Sequence, residues 1–198
     1  MKRCQPCQFG CHANLAAMPL EIVLVDAPFR QWGMDFIREF KENSSHGHNW
    51  IIIATDYFTK WVEVIPTKAV TNQVVMDFLE DKIINRFGVP TKIVTNNAKA
   101  LDSMALTSLC NKYGIILSHS SNYYPQGNDQ VESSNKNLIM VIKRTMDNHK
   151  RDWDNKIKYA LWVDRTTVKA STGFSPFNWY MNLRPSYPCS SNYLSLNA

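Results

Sequence analysis

The chain has no apolar run that could cross a bilayer: stretches such as Ile51-Ile52-Ile53-Ala54 stop far short of the roughly 20 residues a spanning helix needs. It has no convincing secretion signal, because residues 13–25 are interrupted by Glu21 and follow a Cys-, Gln- and Pro-containing lead. Its five cysteines are an odd number with three crowded near the start, which does not describe a disulfide framework. Internal repeats are absent. These absences point to an intracellular, reducing setting, nucleus or cytoplasm, without a membrane-embedded part. What is present is 198 residues, 44% hydrophobic and 20% charged, the balance of a globular domain. A chain of that size buries roughly 70% of its unfolded surface, so a sizeable core is available. Net charge is +5, and residues 136–169, with nine Lys/Arg against four Asp, account for all of it. Such clustering favours a polyanionic partner over a small-molecule substrate, a solvated helix face being the plainer alternative.

The first dozen residues carry Cys4, Cys7, Cys11 and His12. A Cys-x-x-Cys pair supplies two of the four ligands of tetrahedral zinc, and no second pair follows at suitable spacing. Cys4 and Cys7 therefore read as a remnant half-site, and bound zinc is not expected in this fragment. Residues 13–30 form an irregular linker punctuated by Pro19 and Pro28. Strands are predicted over 31–40, 49–58 and 61–66, with Gly47 and Thr59-Lys60 at the turns of an antiparallel meander. Val74, Val75, Phe78, Leu79, Ile83 and Ile84 recur at helical spacing in 71–87, and Gly88-Val89-Pro90 stops that helix. A strand over 92–95, a helix over 103–113, a strand over 115–118 and helices over 128–148, 153–166 and 175–180 follow. The order describes an α/β domain with a five-stranded mixed sheet, three strands in an antiparallel meander and two parallel, flanked by helices.

The stretch Tyr124-Pro125-Gln126-Gly127-Asn128 gives way to the longest of these helices, with Glu132 in its first turns. Val131, Leu138, Ile142 and Met146 mark one apolar stripe, and Glu132, Lys136 and Lys143 lie together on its flank, roughly 100° round the axis. Such a helix packs its back into a core and offers one acid and two cations outward. Read alone, it is more simply an ordinary amphipathic helix with a solvated face.

Several motifs in order carry a resemblance. They are Gln31-Trp32-Gly33-Met34-Asp35-Phe36, Thr55-Asp56-Tyr57-Phe58-Thr59-Lys60-Trp61, Arg86-Phe87-Gly88-Val89-Pro90 and Tyr124-Pro125-Gln126-Gly127-Asn128. Gln130-Val131-Glu132-Ser133-Ser134-Asn135-Lys136, Trp162, Arg165-Thr166-Thr167 and Thr172-Gly173-Phe174-Ser175-Pro176-Phe177 complete the series. Over roughly residues 4–188 the chain resembles the integrase catalytic core of gypsy-type LTR retrotransposons, kin of retroviral integrases. The resemblance implies a ribonuclease-H-like fold and a polynucleotidyl transferase that processes and joins DNA 3′ ends. It also implies two Mg²⁺ ions held by two Asp and one Glu, DNA as partner, and a possible homodimer. Hard, anionic oxygen ligands suit two such ions about 4 Å apart.

Asp35 matches the first family carboxylate and Glu132 the last. At the middle position this chain has Thr95-Asn96-Asn97-Ala98, so Asn96 stands where the family carries Asp, with thirty-five residues between it and Glu132. The implied catalytic and metal-binding set is Asp35, Asn96 and Glu132, one charge short, so weakened Mg²⁺ binding and an impaired enzyme are expected. Asp56 and Asp102 are the available substitutes, neither at a metal-binding position of the family. Tyr124, Asp129, Asp164 and Met181-Asn182 are further departures, and Asp129 puts negative charge beside the expected DNA path. Gln126, Asn128, Asn135, Lys136, Lys143 and Arg144 are the implied nucleic-acid contacts. The expected organisation is a zinc-domain remnant over 1–12, a linker over 13–30, the core over 31–185 and a loose tail over 186–198, as in a decayed or truncated element. A non-catalytic nucleic-acid-binding or interaction module on the same fold, and a nuclease with a rearranged acid set, are the alternatives.

Overall fold

The structure is a computed structural model that describes residues 27–38, 43–95, 104–119, 136, 139–141, 144 and 151–181. Five strands form one sheet in the order β3-β2-β1-β4-β5: β1 Gln31–Ile37, β2 Trp50–Asp56, β3 Val62–Thr67, β4 Lys92–Thr95 and β5 Ile116–His119. The β1–β2 and β2–β3 pairs are antiparallel, whereas β1–β4 and β4–β5 are parallel. This is the mixed sheet the sequence predicts, with the meander at one side and the parallel pairs at the other. Pro66 fits in β3 because that strand is an edge, where a missing N–H costs no ladder bond.

Helices cover both faces. The helix α1 starts at Asn72, where the Thr71 hydroxyl oxygen accepts from the Val74 N–H, and runs regularly to Phe78. It widens into π-helical turns over Leu79–Ile84 and finishes over Asn85–Phe87. Gly88 ends it at a φ of 87°, a backbone conformation that costs glycine little. α2 spans Met104–Tyr113, α3 Trp153–Thr166, and the short α4 Pro176–Tyr180 is capped by the Ser175 side chain. Lys136, Ile139–Val141 and Arg144 are also helical, so the long helix of the sequence reading has described turns between β5 and α3.

Strand alternation sorts the core into two halves. Trp32, Met34, Ile52, Ala54 and Ile93 point to the face covered by α1 and α2, where they meet Val75, Phe78, Leu79, Leu106 and Cys110. Ile37, Ile51, Ile53, Val62 and Val64 point to the other face, against Ile139 and the α3 residues Trp153, Ile157, Ala160 and Leu161. The unbroken isoleucine run of β2 follows from this, since a central strand sandwiched between helical layers is apolar on both faces. Each fully buried Ile, Leu or Phe contributes roughly 1.5–3 kcal/mol of transfer free energy, so β2 and α1 carry much of the stability. The helix that follows β5 buries Ile139 and half-buries Val141. The predicted stripe of Val131, Leu138, Ile142 and Met146 lies outside the described residues.

Candidate active site

Asp35 occupies the fifth position of the central strand β1, directly across from Ile53 on β2. Its side chain therefore points to the face shared by Ile37, Ile53, Ile139 and α3. It is half-buried, and its Oδ1 accepts the Phe36 N–H at 2.7 Å, which fixes the carboxylate close to the strand. β4 lies alongside β1 in parallel, with Thr95 paired to Met34 at the end of the ladder. The residues that follow this pair in sequence are Asp35 on β1 and Asn96 after β4. Thr95 is buried, and its Oγ1 lies 3.1 Å from Nδ1 of His119, its ladder partner on β5. The carboxyl ends of the two parallel strands are thus tied together, on the face opposite to the Asp35 side chain. In sheets of this construction the carboxyl ends of parallel strands are where ligands gather.

Asn96, Glu132 and Asp102 lie outside the described residues, as do Gln126, Asn128, Asn135, Lys143, Cys4 and Cys7. Of the sequence-predicted catalytic set Asp35 alone is described, and of the predicted nucleic-acid contacts Lys136 and Arg144 are. Both of those cations are exposed, and with Met140, 47% exposed, they fall four residues apart along one line of the helix, with buried Ile139 roughly 100° round the axis from it. The helix that carries these cations packs on the sheet face to which Asp35 points.

Asp56 has a different role. It is paired across the ladder with Trp32, on the face opposite to Asp35. Its Oδ2 accepts the Thr59 N–H at 2.8 Å and the Thr59 hydroxyl at 2.7 Å, and its Oδ1 accepts the Phe29 N–H at 3.1 Å. Burial pushes its carboxyl above the usual range against the pull of those hydrogen bonds. Beside it Lys60 adopts a φ of 62° and donates from Nζ to the Tyr57 carbonyl at 2.8 Å. Burial lowers the Lys60 ammonium, and the Asp56 charge partly restores it. The Thr59-Lys60 turn stands where the sequence predicts it, and Asp56 is what shapes it.

Two charged groups reach the sheet from outside the motifs' expected chemistry. Glu63 on β3 is almost fully buried and receives Arg86 at 2.6 Å, Arg165 at 3.0 Å and the Trp61 indole N–H at 2.7 Å. His46 and His48, in the turn between β1 and β2, converge on Asp154 in the first turn of α3. The sequence hinted at this second cluster only by a His-x-His spacing, because the acid is more than a hundred residues away. Among the described residues no helix is long and apolar enough to cross a membrane.

Comparison with known proteins places these features in a family. Residues 25–125 match the family described as "Integrase core domain". Over 188 residues the chain is 31% identical to the Gag-Pol polyprotein of avian reticuloendotheliosis virus, covering 92% of this chain and 16% of that polyprotein. Over 180 residues it is 25% identical to the Transposon Tf2-3 polyprotein of Schizosaccharomyces pombe, covering 89% and 13%. The chain thus spans less than a fifth of the length of these relatives. Among solved structures, a chain of the simian T-cell lymphotropic virus intasome in complex with PP2A regulatory subunit B56 gamma superposes with a TM-score of 0.68. At 20% identity, covering 87% of this chain and 60% of that one, it establishes a shared fold, the ribonuclease-H-like sheet of integrases.

Proposed function

Because the chain belongs to the integrase core domain family, which binds DNA and depends on divalent metal, we propose that it is a strand-transfer core of the gypsy type whose acid set is one charge short. The observation that carries the reading is the position of Asp35, half-buried beside the carboxyl end of β4 on the face where the Lys136 helix packs. The residues assigned to the metal are Asp35, Asn96 and Glu132. Their donors are hard oxygens, which fits Mg²⁺, but they carry two negative charges where the family pattern carries three. When bound, divalent ions in such a site polarise the phosphorus centre, activate the attacking oxygen and stabilise the leaving one.

The chain's own groups do the positioning. The Phe36 N–H holds the Asp35 carboxylate in place, and the neutral Asn96 amide offers an oxygen without offsetting repulsion between two dications. Lys136 and Arg144, with Lys143, Gln126, Asn128 and Asn135, supply phosphate and sugar contacts that fix a duplex without reading its sequence. On this reading residues 31–185 are assigned to the core and 13–30 to a linker. Exposed Tyr159, Trp162 and Val163 on α3 support a homodimer as part of the same reading.

A second reading, a non-catalytic DNA-binding module, is favoured by the exposed Lys136 and Arg144, whose phosphate contacts do not require the middle acid. Calorimetric titration with Mg²⁺ and Mn²⁺, beside an end-joining assay on duplex DNA, separates the two. Asn96→Asp is expected to gain a second ion and restore joining, and the unaltered chain to hold at most one ion weakly. If Asn96→Asp gains neither and both chains bind DNA without turnover, the module reading stands. Strong Mg²⁺-dependent cleavage by the unaltered chain that survives Asp35→Asn would remove Asp35 from the site.

A further inference from the structure

We propose that His46, His48 and Asp154 form a binding site for a transition-metal dication of the zinc type, sharing no residue with the magnesium site assigned above. The turn that carries the two histidines is internally braced. Ser44 N–H donates to the His48 carbonyl at 2.8 Å, His48 N–H to the Ser44 hydroxyl oxygen at 3.0 Å, and Gly47 N–H to the Ser44 carbonyl at 2.9 Å. The Ser45 N–H donates to the Arg151 carbonyl at 2.7 Å, which seats the turn against the start of α3. His46 and His48, two apart, place both Nδ1 atoms on a single oxygen of Asp154, Oδ2, at 2.9 and 2.8 Å. The other oxygen, Oδ1, accepts the Asn155 N–H at 2.9 Å and so aims the carboxylate at the pair.

Ligation requires each imidazole to present its Nδ1 lone pair, with the proton on Nε2, in place of its hydrogen bond to Asp154 Oδ2. The three ligand atoms lie within 4.8 Å of one another, and the Asp154 side chain is 3% exposed whereas that of His46 is 58% exposed and free to adjust. Zinc bonds of about 2.0–2.2 Å in tetrahedral array set ligand atoms roughly 3.3 Å apart, so the imidazoles need to withdraw by about half an ångström. Two imidazoles and one carboxylate select zinc, cobalt, nickel or copper over magnesium, and three protein ligands leave a fourth position for water or the Ser44 hydroxyl. The positive end of the α3 dipole and the Arg151 charge oppose a cation here, and Asp152 works the other way. Metal at this point would clamp the β1–β2 turn to a helix 106 residues further along the chain.

The test is a Zn²⁺ titration by calorimetry on the full chain with Cys4, Cys7 and Cys11 changed to Ser and His12 to Asn, so that the N-terminal thiols do not compete. A second chain adds His46→Gln and His48→Gln, whose amides keep a donor toward Asp154, and a third carries Asp154→Asn. The parent is expected to take up one Zn²⁺, undisplaced by excess Mg²⁺, with a raised Tm and a Co²⁺ spectrum free of thiolate charge transfer. Each variant that folds by circular dichroism is expected to bind Zn²⁺ at least tenfold more weakly and to lose the rise in Tm. Equal affinity in parent and variants, or no uptake by the folded parent, overturns the proposal. Neither result bears on the reading of Asp35, Asn96 and Glu132.

Discussion

Replacing Glu63 with Ala should be among the most damaging single changes to the described part of the chain. β3 is an edge strand, and Glu63 projects from it to the face covered by α1. Arg86 comes to it from the end of α1 on that face, while Arg165 comes from α3 on the opposite face, round the open edge of the sheet. On the way Arg165 donates from Nε and one terminal nitrogen to the Val62 carbonyl at 3.1 and 2.7 Å and lies 4.4 Å over the Trp61 ring. Burial lowers the Arg165 guanidinium, and the Glu63 charge is the chief influence restoring it. Removing one partner of a buried pair costs about 3–5 kcal/mol. Arg86 is 39% exposed, so its share is screened and adds no more than about 1 kcal/mol. Arg165 keeps its bonds to Val62, which argues for the lower end, and the orphaned Trp61 N–H adds about 1 kcal/mol. A net loss of about 4–5 kcal/mol at 2–4 °C per kcal/mol lowers Tm by roughly 8–20 °C. Glu63→Gln, which keeps an acceptor but no charge, should lose about 1–2 kcal/mol. Urea unfolding and thermal scans at neutral pH read both. Stability of Glu63→Ala within about 0.5 kcal/mol of the parent, or equal loss in Ala and Gln, would refute the clamp.

Two further outcomes follow from the same geometry. Lys136→Ala with Arg144→Ala removes two phosphate contacts, so the slope of log K against log salt for duplex DNA should flatten by about 1.8, read by fluorescence anisotropy; an unchanged slope would place both cations off the DNA. Asp164 is buried against Lys169 at 2.6 Å, and burial raises its carboxyl above 3.8 despite the Lys169 charge. The native state therefore takes up this proton before the unfolded chain does, and the parent's stability relative to Asp164→Asn should rise as pH falls from neutral toward 4. A difference that is flat or falls over that window would show that Lys169 outweighs burial.

The parts of the fold legible in the sequence were those with a strong period or a dedicated turn residue. The isoleucines of β2, the 3.6-residue spacing of α1 and the stop at Gly88 each left a local signature. The widening of α1 over Leu79–Ile84 left none, because an expanded turn keeps the same residues apolar. Glu63 was obscured for another reason: an acid in an alternating strand reads as solvent-facing unless its two arginines, one over a hundred residues away, are known. The same distance hid Asp154 from His46 and His48. For the site, spacing and motif order named Asp35 and its neighbours, but sequence could not say which acids share a face, and that is where the sheet register decides.

The register decides it between Asp35 and Asp56, two acids in consecutive strands of the meander. A shift of one residue along a strand moves a side chain to the other face. Asp35 faces Ile53 and Asp56 faces Trp32, three ladder positions away and on opposite sides of the sheet. Three hydrogen bonds and burial bind Asp56 to its turn, and they hold it where charge is disfavoured, which is the reverse of what a metal ligand needs. Asp35 is half-buried, accepts its neighbour's N–H at Oδ1 and lies next to the end of the β1–β4 ladder. The sheet therefore gives Asp56 the work of shaping the turn and turns Asp35 to the opposite face. On the proposed reading Asp56 does not supply a charge to the site, because the register turns it to the other face of the sheet.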